Sequence, residues 1–149
     1  MLRLYQTLSY FFLPFIIFNL YLRILKNRES RSRFSERFGK SKIQIETTKK
    51  IIWLHAASVG EFKSCNLIVE KYYKNYFILV TTTTKSSAKY VKKFYSDKVV
   101  HQYIPFDVPS WCSKFLYNWK PSLVLWIESD IWPNMLKIIK DRKIKCFYI

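Results

Sequence analysis

The amino-acid sequence predicts an α/β domain with a doubly wound parallel sheet. After Lys50, short apolar runs alternate with amphipathic stretches of about ten residues, the pattern of strands joined by helices. Parallel strands joined in this way need right-handed crossovers, which cover both faces of the sheet with helices. Half of the 149 residues are hydrophobic, enough to fill one sizeable core. We therefore expect one ordered domain of this class.

The elements of this domain can be placed in order along the chain. Strands are expected at 51–55, 76–84, 99–104, 122–128 and 145–149. Helices are expected between them at 61–73, 86–95, 109–119 and 133–140. Functional groups of such sheets collect at the carboxyl ends of the strands. The residues that follow each strand are therefore the candidates for function.

A long apolar segment precedes the domain. The 19 residues from Leu4 to Leu22 carry no charge, close to the ~20 residues that span a bilayer as a helix. Gln6 and Asn19 are polar, and Pro14 is expected to kink the helix. Two interpretations remain, a single spanning anchor or a helix lying in one leaflet. Residues 1–25 are assigned to this membrane element.

A basic segment follows at 26–50. Between Arg23 and Lys50 there are ten Lys or Arg residues against three Glu. Positive residues beside an apolar segment stay on the cytoplasmic face and attract anionic lipid. We predict that the domain at 51–149 lies on that face. The alternative is a solvated basic linker.

The net charge of +16 attracts anionic partners without choosing among them. No nucleic-acid-binding motif is present, so we expect no nucleic acid partner. The sequence also lacks the glycine-rich motifs of dinucleotide-binding and P-loop proteins. His55 and His101 have no nearby Cys or His, and the three cysteines are scattered, so we predict no metal site.

Polar residues follow four of the predicted strands and would share one crevice. They are Ser58, Gly60 and Glu61, then Thr82 and Thr83, then Asp107, and finally Glu128, Asp130 and Asn134. In the first turn of a helix, the Glu61 carboxylate is favoured in its ionised form and could accept a proton. It could equally serve only to complement the helix terminus.

Five ordered motifs give this pattern a family resemblance. They are SRFSERFG, WLHAASVGEF, LVTTTT followed by SSA, YIPFDVP, and PSLVLWIESDIWPN. Together they resemble the 3-deoxy-D-manno-octulosonic acid (Kdo) transferases across essentially the whole chain. The resemblance implies transfer of Kdo from the donor CMP-Kdo to the lipid A precursor in lipopolysaccharide biosynthesis. It also implies a location on the cytoplasmic face of the inner membrane of a Gram-negative bacterium.

The resemblance further implies a fold and roles for residues. The family is similar to inverting, metal-independent, two-domain GT-B glycosyltransferases, whose Rossmann-like N-terminal domain binds the acceptor. It needs no cofactor. Glu61 matches the proposed general base of the family, and the acidic-WPN motif matches Glu128, Asp130, Trp132, Pro133 and Asn134. Arg31, Arg33 and Arg37 become candidate contacts to lipid phosphates.

Two departures from the family pattern accompany the resemblance. Asp130 stands where the family commonly has Glu, one methylene longer. The C-terminal half, which binds most of the donor, is absent from the sequence. We therefore expect a fragment or a disrupted gene product, inactive unless a second chain supplies the rest. The alternative is a non-catalytic, membrane-anchored lipid-binding remnant.

Overall fold

The computed structural model describes residues 2–43, 47–128 and 130–149. Its centre is a parallel sheet of five strands in the order β3-β2-β1-β4-β5. The strands are β1 Ile51–Ala56, β2 Phe77–Thr82, β3 Val100–Tyr103, β4 Leu123–Ile127 and β5 Lys145–Tyr148. The predicted parallel sheet is confirmed.

The helices frame this sheet in chain order. They are α1 Leu2–Phe11, α2 Leu13–Leu25, α3 Val59–Ser64, α4 Asn66–Tyr72, α5 Lys85–Tyr95, α6 Pro109–Trp119 and α7 Pro133–Asp141, with a 3-10 turn over Phe34–Phe38. The single helix predicted at 61–73 is wrong, because it divides at Cys65. There φ is −109° and ψ is 7°, and the Cys65 amide bonds the carbonyl of Phe62, three residues back.

Two apolar layers hold helices to opposite faces of the sheet. On one face, Phe62, Val69 and Val91 from α3, α4 and α5 pack against Ile52 and Leu54. On the other face, Phe115, Trp119 and Met135 from α6 and α7 pack against Trp53 and Trp126. Both tryptophans of the sheet are fully buried. Burial on both faces accounts for the nearly continuous apolar runs of the strands.

An open groove lies where the first layer stops. Beside α4, the same face of β4 and β5 is uncovered in the described part of the chain. The groove has a volume of about 990 Å³ and is lined by Leu67, Tyr72, Leu125 and Phe147, among others. None of the predicted site residues lines it.

The apolar N-terminal segment forms two helices instead of one. They meet at a bend of 54°, and Pro14 lies in the first turn of α2, where its missing N–H is tolerated. In the described chain no single helix is long and apolar enough to cross a membrane, although this bent pair together has the length and composition. Its outer surface carries exposed aromatic rings, including Phe11, Phe12, Phe15, Phe18 and Tyr21.

The basic segment packs against the domain through much of its length. Glu29, Glu36 and Arg37 are buried against the carboxyl ends of β2 and β3. Gly39 closes this stretch with φ of +70°, and a Cβ there would lie 2.1 Å from the Trp111 carbonyl oxygen. The described part of this segment is therefore built into the fold, which a solvated linker would not be.

Candidate functional site

The topology places one crevice at the carboxyl edge of the sheet. β1 is the central strand of the sheet. The chain adds β2 and β3 on one side of β1, and then β4 and β5 on the other side. The strand order therefore reverses between β1 and β4, and in open α/β sheets ligands bind at such a point. The loop 57–61 follows β1 and the segment 128–132 follows β4. These two segments bring Glu61 to one side of the reversal, and Glu128 and Asp130 to the other.

Glu61 is held by a helix-capping arrangement. The Ser58 Oγ accepts the Glu61 amide at 3.2 Å and donates its own proton to the Glu61 carboxylate at 2.9 Å. The Ala57 amide donates to the other carboxylate oxygen at 2.7 Å. Glu61 therefore does take part in capping the N-terminus of α3. A carboxylate has about four lone-pair sites, so capping the helix and accepting a proton from a substrate are compatible.

Gly60 lies between Ser58 and Glu61 in the chain and has open space beside it. A Cβ at Gly60 would meet only the Ser58 Oγ, at an ordinary 3.8 Å. Neither the backbone conformation nor the packing of α3 therefore requires glycine at this position. Open space therefore lies beside Gly60, which directly precedes Glu61 in the chain.

Glu128 and Asp130, which follow β4, have hydrogen-bonded backbone groups and exposed side chains. Glu128 adopts a left-handed conformation with φ of 34°, rare for a residue with a Cβ. Its amide donates to the Ile149 carbonyl at 2.9 Å, and the buried Trp126 indole donates to the Asp130 carbonyl at 3.2 Å. Glu128 and Asp130 are both exposed residues. Residues in such sparsely populated backbone conformations are common at functional sites.

The structure corrects the role predicted for Thr82. Its side chain is fully buried, and its Oγ hydrogen bonds to the His101 Nε2 at 2.9 Å. It therefore does not line the crevice. Thr83 lies one residue further, and both its amide and its hydroxyl donate to the Ala57 carbonyl, at 3.2 and 2.8 Å. It joins the loops after β2 and β1 and so supports the loop that carries Glu61.

Asp107 and Asn134 also have roles different from those predicted. The Asp107 carboxylate accepts the amides of Asn134 at 3.0 Å and Met135 at 2.8 Å, in the first turn of α7. Asn134 is fully buried and its side-chain amide donates to the Asp107 carbonyl at 2.6 Å. Both residues shape the crevice wall from within, and Asn134 is not on its surface.

The structure also corrects the lipid-phosphate contact predicted for Arg37. It was predicted to contact a lipid phosphate, but its side chain is only 4% exposed. Its guanidinium pairs with Glu29 and donates to the carbonyls of Ile104 and Thr83. Burial lowers the pKa of this guanidinium, and the Glu29 carboxylate opposes that shift. Its position is therefore internal.

Arg33 is also occupied within the protein, whereas Arg31 is exposed. Arg33 pairs with Glu36 at 2.7 Å and donates to the His101 carbonyl at 2.9 Å. The same Arg33 Nη2 lies 2.9 Å from the His101 Nδ1. Of the three arginines, only Arg31 is exposed. Its contact to a lipid phosphate stays a prediction.

Two histidines lie near the carboxyl edge of the sheet, and no sequence motif indicated a role for them there. His55 lies fully buried beneath the crevice, with its ring 4.3 Å from that of Trp126 and its Nδ1 2.9 Å from the Thr81 Oγ. Burial lowers the pKa of His55 to about 3. Burial, with Arg33 and Arg37 nearby, does the same to the pKa of His101. Both rings are therefore neutral at pH 7.

The fold and the acidic crevice define a Rossmann-like α/β domain. Residues 32–149 match the family model described as 3-deoxy-D-manno-octulosonic-acid transferase (kdotransferase). The chain belongs to this family of glycosyltransferases, as its motifs predicted.

Relatives in distant organisms agree with this assignment. The chain is 37% identical over 139 residues to the 3-deoxy-D-manno-octulosonic acid transferase of Rickettsia bellii, covering 91% of this chain and 33% of that protein. It is 34% identical to the probable mitochondrial transferase of Arabidopsis thaliana, covering 90% and 30%. It is 30% identical to the Haemophilus influenzae transferase, covering 89% and 32%. The chain spans about a third of the length of these relatives.

Proposed function

We propose that this chain is the acceptor-binding part of an enzyme that transfers Kdo from CMP-Kdo to the lipid A precursor. Membership of the Kdo transferase family supports the type of reaction. The placement of Glu61, Glu128 and Asp130 on both sides of the strand-order reversal supports a site for a polyhydroxylated acceptor, because carboxylates accept hydrogen bonds from sugar hydroxyls.

Glu61 is the general base in this proposal. It removes the proton from the attacking acceptor hydroxyl as that oxygen bonds to the anomeric carbon of Kdo, and the CMP phosphate leaves with the electron pair of the broken bond. Hydrogen bonds from Ser58 and Ala57 orient the carboxylate. Attack opposite to the leaving group inverts the anomeric centre, and the step needs neither a metal nor a cofactor. The donor is bound by a second domain of a GT-B enzyme, of the kind that the remaining length of the relatives could supply.

The bent pair α1 and α2 supports a location of this site at the inner membrane. Its exposed rings suit burial in the boundary between headgroups and acyl chains, and the bend suits a helix pair that lies in one leaflet. Lys26, Arg28 and Arg31 follow the pair and are exposed, so they can meet anionic headgroups. This arrangement presents the crevice to a lipid acceptor on the cytoplasmic face.

The catalytic proposal is tested by Kdo transfer to a lipid A precursor in vesicles. The chain is assayed alone and after fusion to the part of the Rickettsia bellii relative that lies beyond the matched region. We expect transfer by the fusion and a loss of roughly 10²-fold or more in turnover with Glu61→Gln, as for loss of a general base. Glu70→Gln is the control. Glu70 lies on α4, remote from the crevice, and pairs with Lys98. Glu61→Gln turnover within a few-fold of the parent would leave Glu61 as a helix cap only.

Acceptor binding provides a separate measurement on the chain alone. We expect the chain to bind vesicles that contain the lipid A precursor more tightly than vesicles of equal charge without it. Binding without transfer by the fusion would favour the lipid-binding remnant over the enzyme.

A further inference from the structure

One carboxylate joins the first helix of the chain to the last. The Tyr5 hydroxyl on α1 donates to the Asp107 Oδ2 at 3.0 Å, across 102 residues of sequence. The same carboxylate accepts the amides of Asn134 and Met135 at the start of α7. We call these four residues the Asp107 bridge.

The Asp107 bridge replaces the usual cap of α7. Trp132 is the N-cap residue, and it makes no side-chain capping bond. Pro133 has no amide proton, so Asn134 and Met135 carry the first amides that an N-cap side chain normally satisfies. Asp107 satisfies both from the loop after β3, and its negative charge complements the helix dipole.

A second contact joins α1 to α7 one helical turn further along. The Asn134 side-chain amide lies 3.5 Å from the Ser9 Oγ. Tyr5 and Ser9 are four residues apart and so share one face of α1. Burial, with Asp107 as the second cause, raises the pKa of Tyr5 to about 12, so the phenol remains a hydrogen-bond donor at neutral pH.

A different face of α1 is turned to the surroundings. Leu4, Leu8 and Phe11 recur at the spacing of one helical face and are 64%, 42% and 76% exposed. α1 therefore has an apolar face toward the lipid and a polar face toward the Asp107 bridge. The first turn of α7 directly follows the segment 128–132, which carries Glu128 and Asp130.

We infer that Asp107 is a positioning residue that couples the membrane contact of α1 to the acidic wall of the crevice. Docking of α1 on lipid restrains Tyr5, which restrains the Asp107 carboxylate and through it the first turn of α7. The first turn of α7, which follows Asp130 along the chain, is then restrained when the protein is at the membrane, where the proposed lipid acceptor is. This inference rests on the membrane docking proposed above.

Hydrogen exchange with single-residue resolution tests this coupling. The amides of Asn134 and Met135 are followed with and without vesicles that contain anionic phosphatidylglycerol. In the parent protein we expect vesicles to slow their exchange roughly tenfold, a change equivalent to about 1.4 kcal/mol. Tyr5→Phe keeps the ring and removes only the hydroxyl, so it should fold and bind vesicles as the parent does while losing most of this slowing.

Two further variants make the comparison specific. Tyr10→Phe removes a phenol hydroxyl from an exposed position of the same helix and should retain the full vesicle effect. Asp107→Asn weakens the acceptor, so both amides should exchange faster with or without vesicles and respond little to lipid.

Each outcome decides the inference. Equal slowing in the parent and in Tyr5→Phe, or no slowing in a parent that binds vesicles, would overturn the coupling and leave membrane docking intact. No binding of the parent to vesicles would overturn both the docking and the coupling.

Discussion

Glu29 and Arg37 form a buried ion pair at the carboxyl edge of the sheet, with 3.1 Å between the Arg37 Nη2 and the Glu29 Oε1. Arg37 also lies over the ring of Tyr103, with its guanidinium carbon 4.6 Å from the ring centre. Its hydrogen bonds to Thr83 and Ile104 join the N-terminal segment to the ends of two strands. This pair therefore connects the segment before the domain to the edge where the crevice forms.

Arg37→Ala is expected to lower the free energy of unfolding by up to roughly 3–5 kcal/mol, because the buried Glu29 carboxylate would lose its buried partner and keep only the more exposed Arg23, 3.4 Å away. The measurement is urea unfolding followed by tryptophan fluorescence. Arg31→Ala is the matched control on an exposed residue and should change the free energy by no more than about 0.5 kcal/mol. If Arg37→Ala does not fold, the double change of Glu29→Gln with Arg37→Met should recover folding. Equal effects of the two alanine variants would contradict the structural role of Arg37.

Gly60→Ala should leave the fold intact and weaken acceptor binding. The new methyl group meets only the Ser58 Oγ within the protein, and alanine favours a helix by up to roughly 1 kcal/mol over glycine. The methyl group would, however, occupy the open space beside Gly60, which directly precedes Glu61. Thermal unfolding and vesicle binding with the lipid A precursor measure the two effects separately. Unchanged acceptor affinity would show that the acceptor does not approach this backbone.

Gly39→Ala is the contrasting change at the other glycine of the chain. Its φ of +70° and the approach of the Trp111 carbonyl leave no room for a Cβ. We expect a loss of stability of about 1–3 kcal/mol or more, as for other strained backbone positions. A stability equal to that of the parent would mean that the turn at Gly39 packs differently against α6.

Acid should destabilise the protein through His55, which is fully buried, and His101, which is half-buried. The pKa of His101 is about 3 in the folded protein and about 6.5 in an unfolded chain. Between these values the unfolded state binds the extra proton, so stability is retained above pH 6.5 and falls as the pH is lowered toward 3. His101→Gln should reduce the slope of unfolding free energy against pH by at most about 1.4 kcal/mol per pH unit. His55 should maintain a slope of its own in that variant, and an unchanged total slope would argue against a neutral His101.

Membrane binding should depend on the exposed rings of the bent helix pair. Phe11 and Phe15 are 76% and 65% exposed, and burying such side chains in lipid is worth roughly 1.5–3 kcal/mol each. Changing both to Ser should lower vesicle partitioning roughly tenfold or more. Phe94→Ser is the control, because Phe94 is 51% exposed on α5, outside the bent pair. Equal losses from the two changes would point to nonspecific adhesion.

Sequence reasoning succeeded where neighbouring residues decide the structure. All five strands were predicted, and the central strands β1, β2 and β4 were the clearest because buried parallel strands are continuous apolar runs. The helix break near Pro14 follows from the missing amide of proline. Glu61 lies in the first turn of α3, as its position directly after the predicted strand and turn indicated. Each of these features is encoded within a few residues, so periodicity and spacing alone identify it.

Contacts between distant parts of the chain decided the remainder. Arg37 looked like a surface cation, but its partners include Thr83, 46 residues away, and these contacts bury it. Asp107 looked like part of a crevice surface, but Tyr5 and α7 both use its carboxylate. Local pattern shows that a side chain is polar, and the assembled elements determine whether its partner is solvent, substrate or another residue. The sequence thus determined the parallel sheet, the family and the place of Glu61 at a strand end. Only the tertiary structure decided which polar residues face the crevice and which hold it in shape, because that depends on partners brought together by folding.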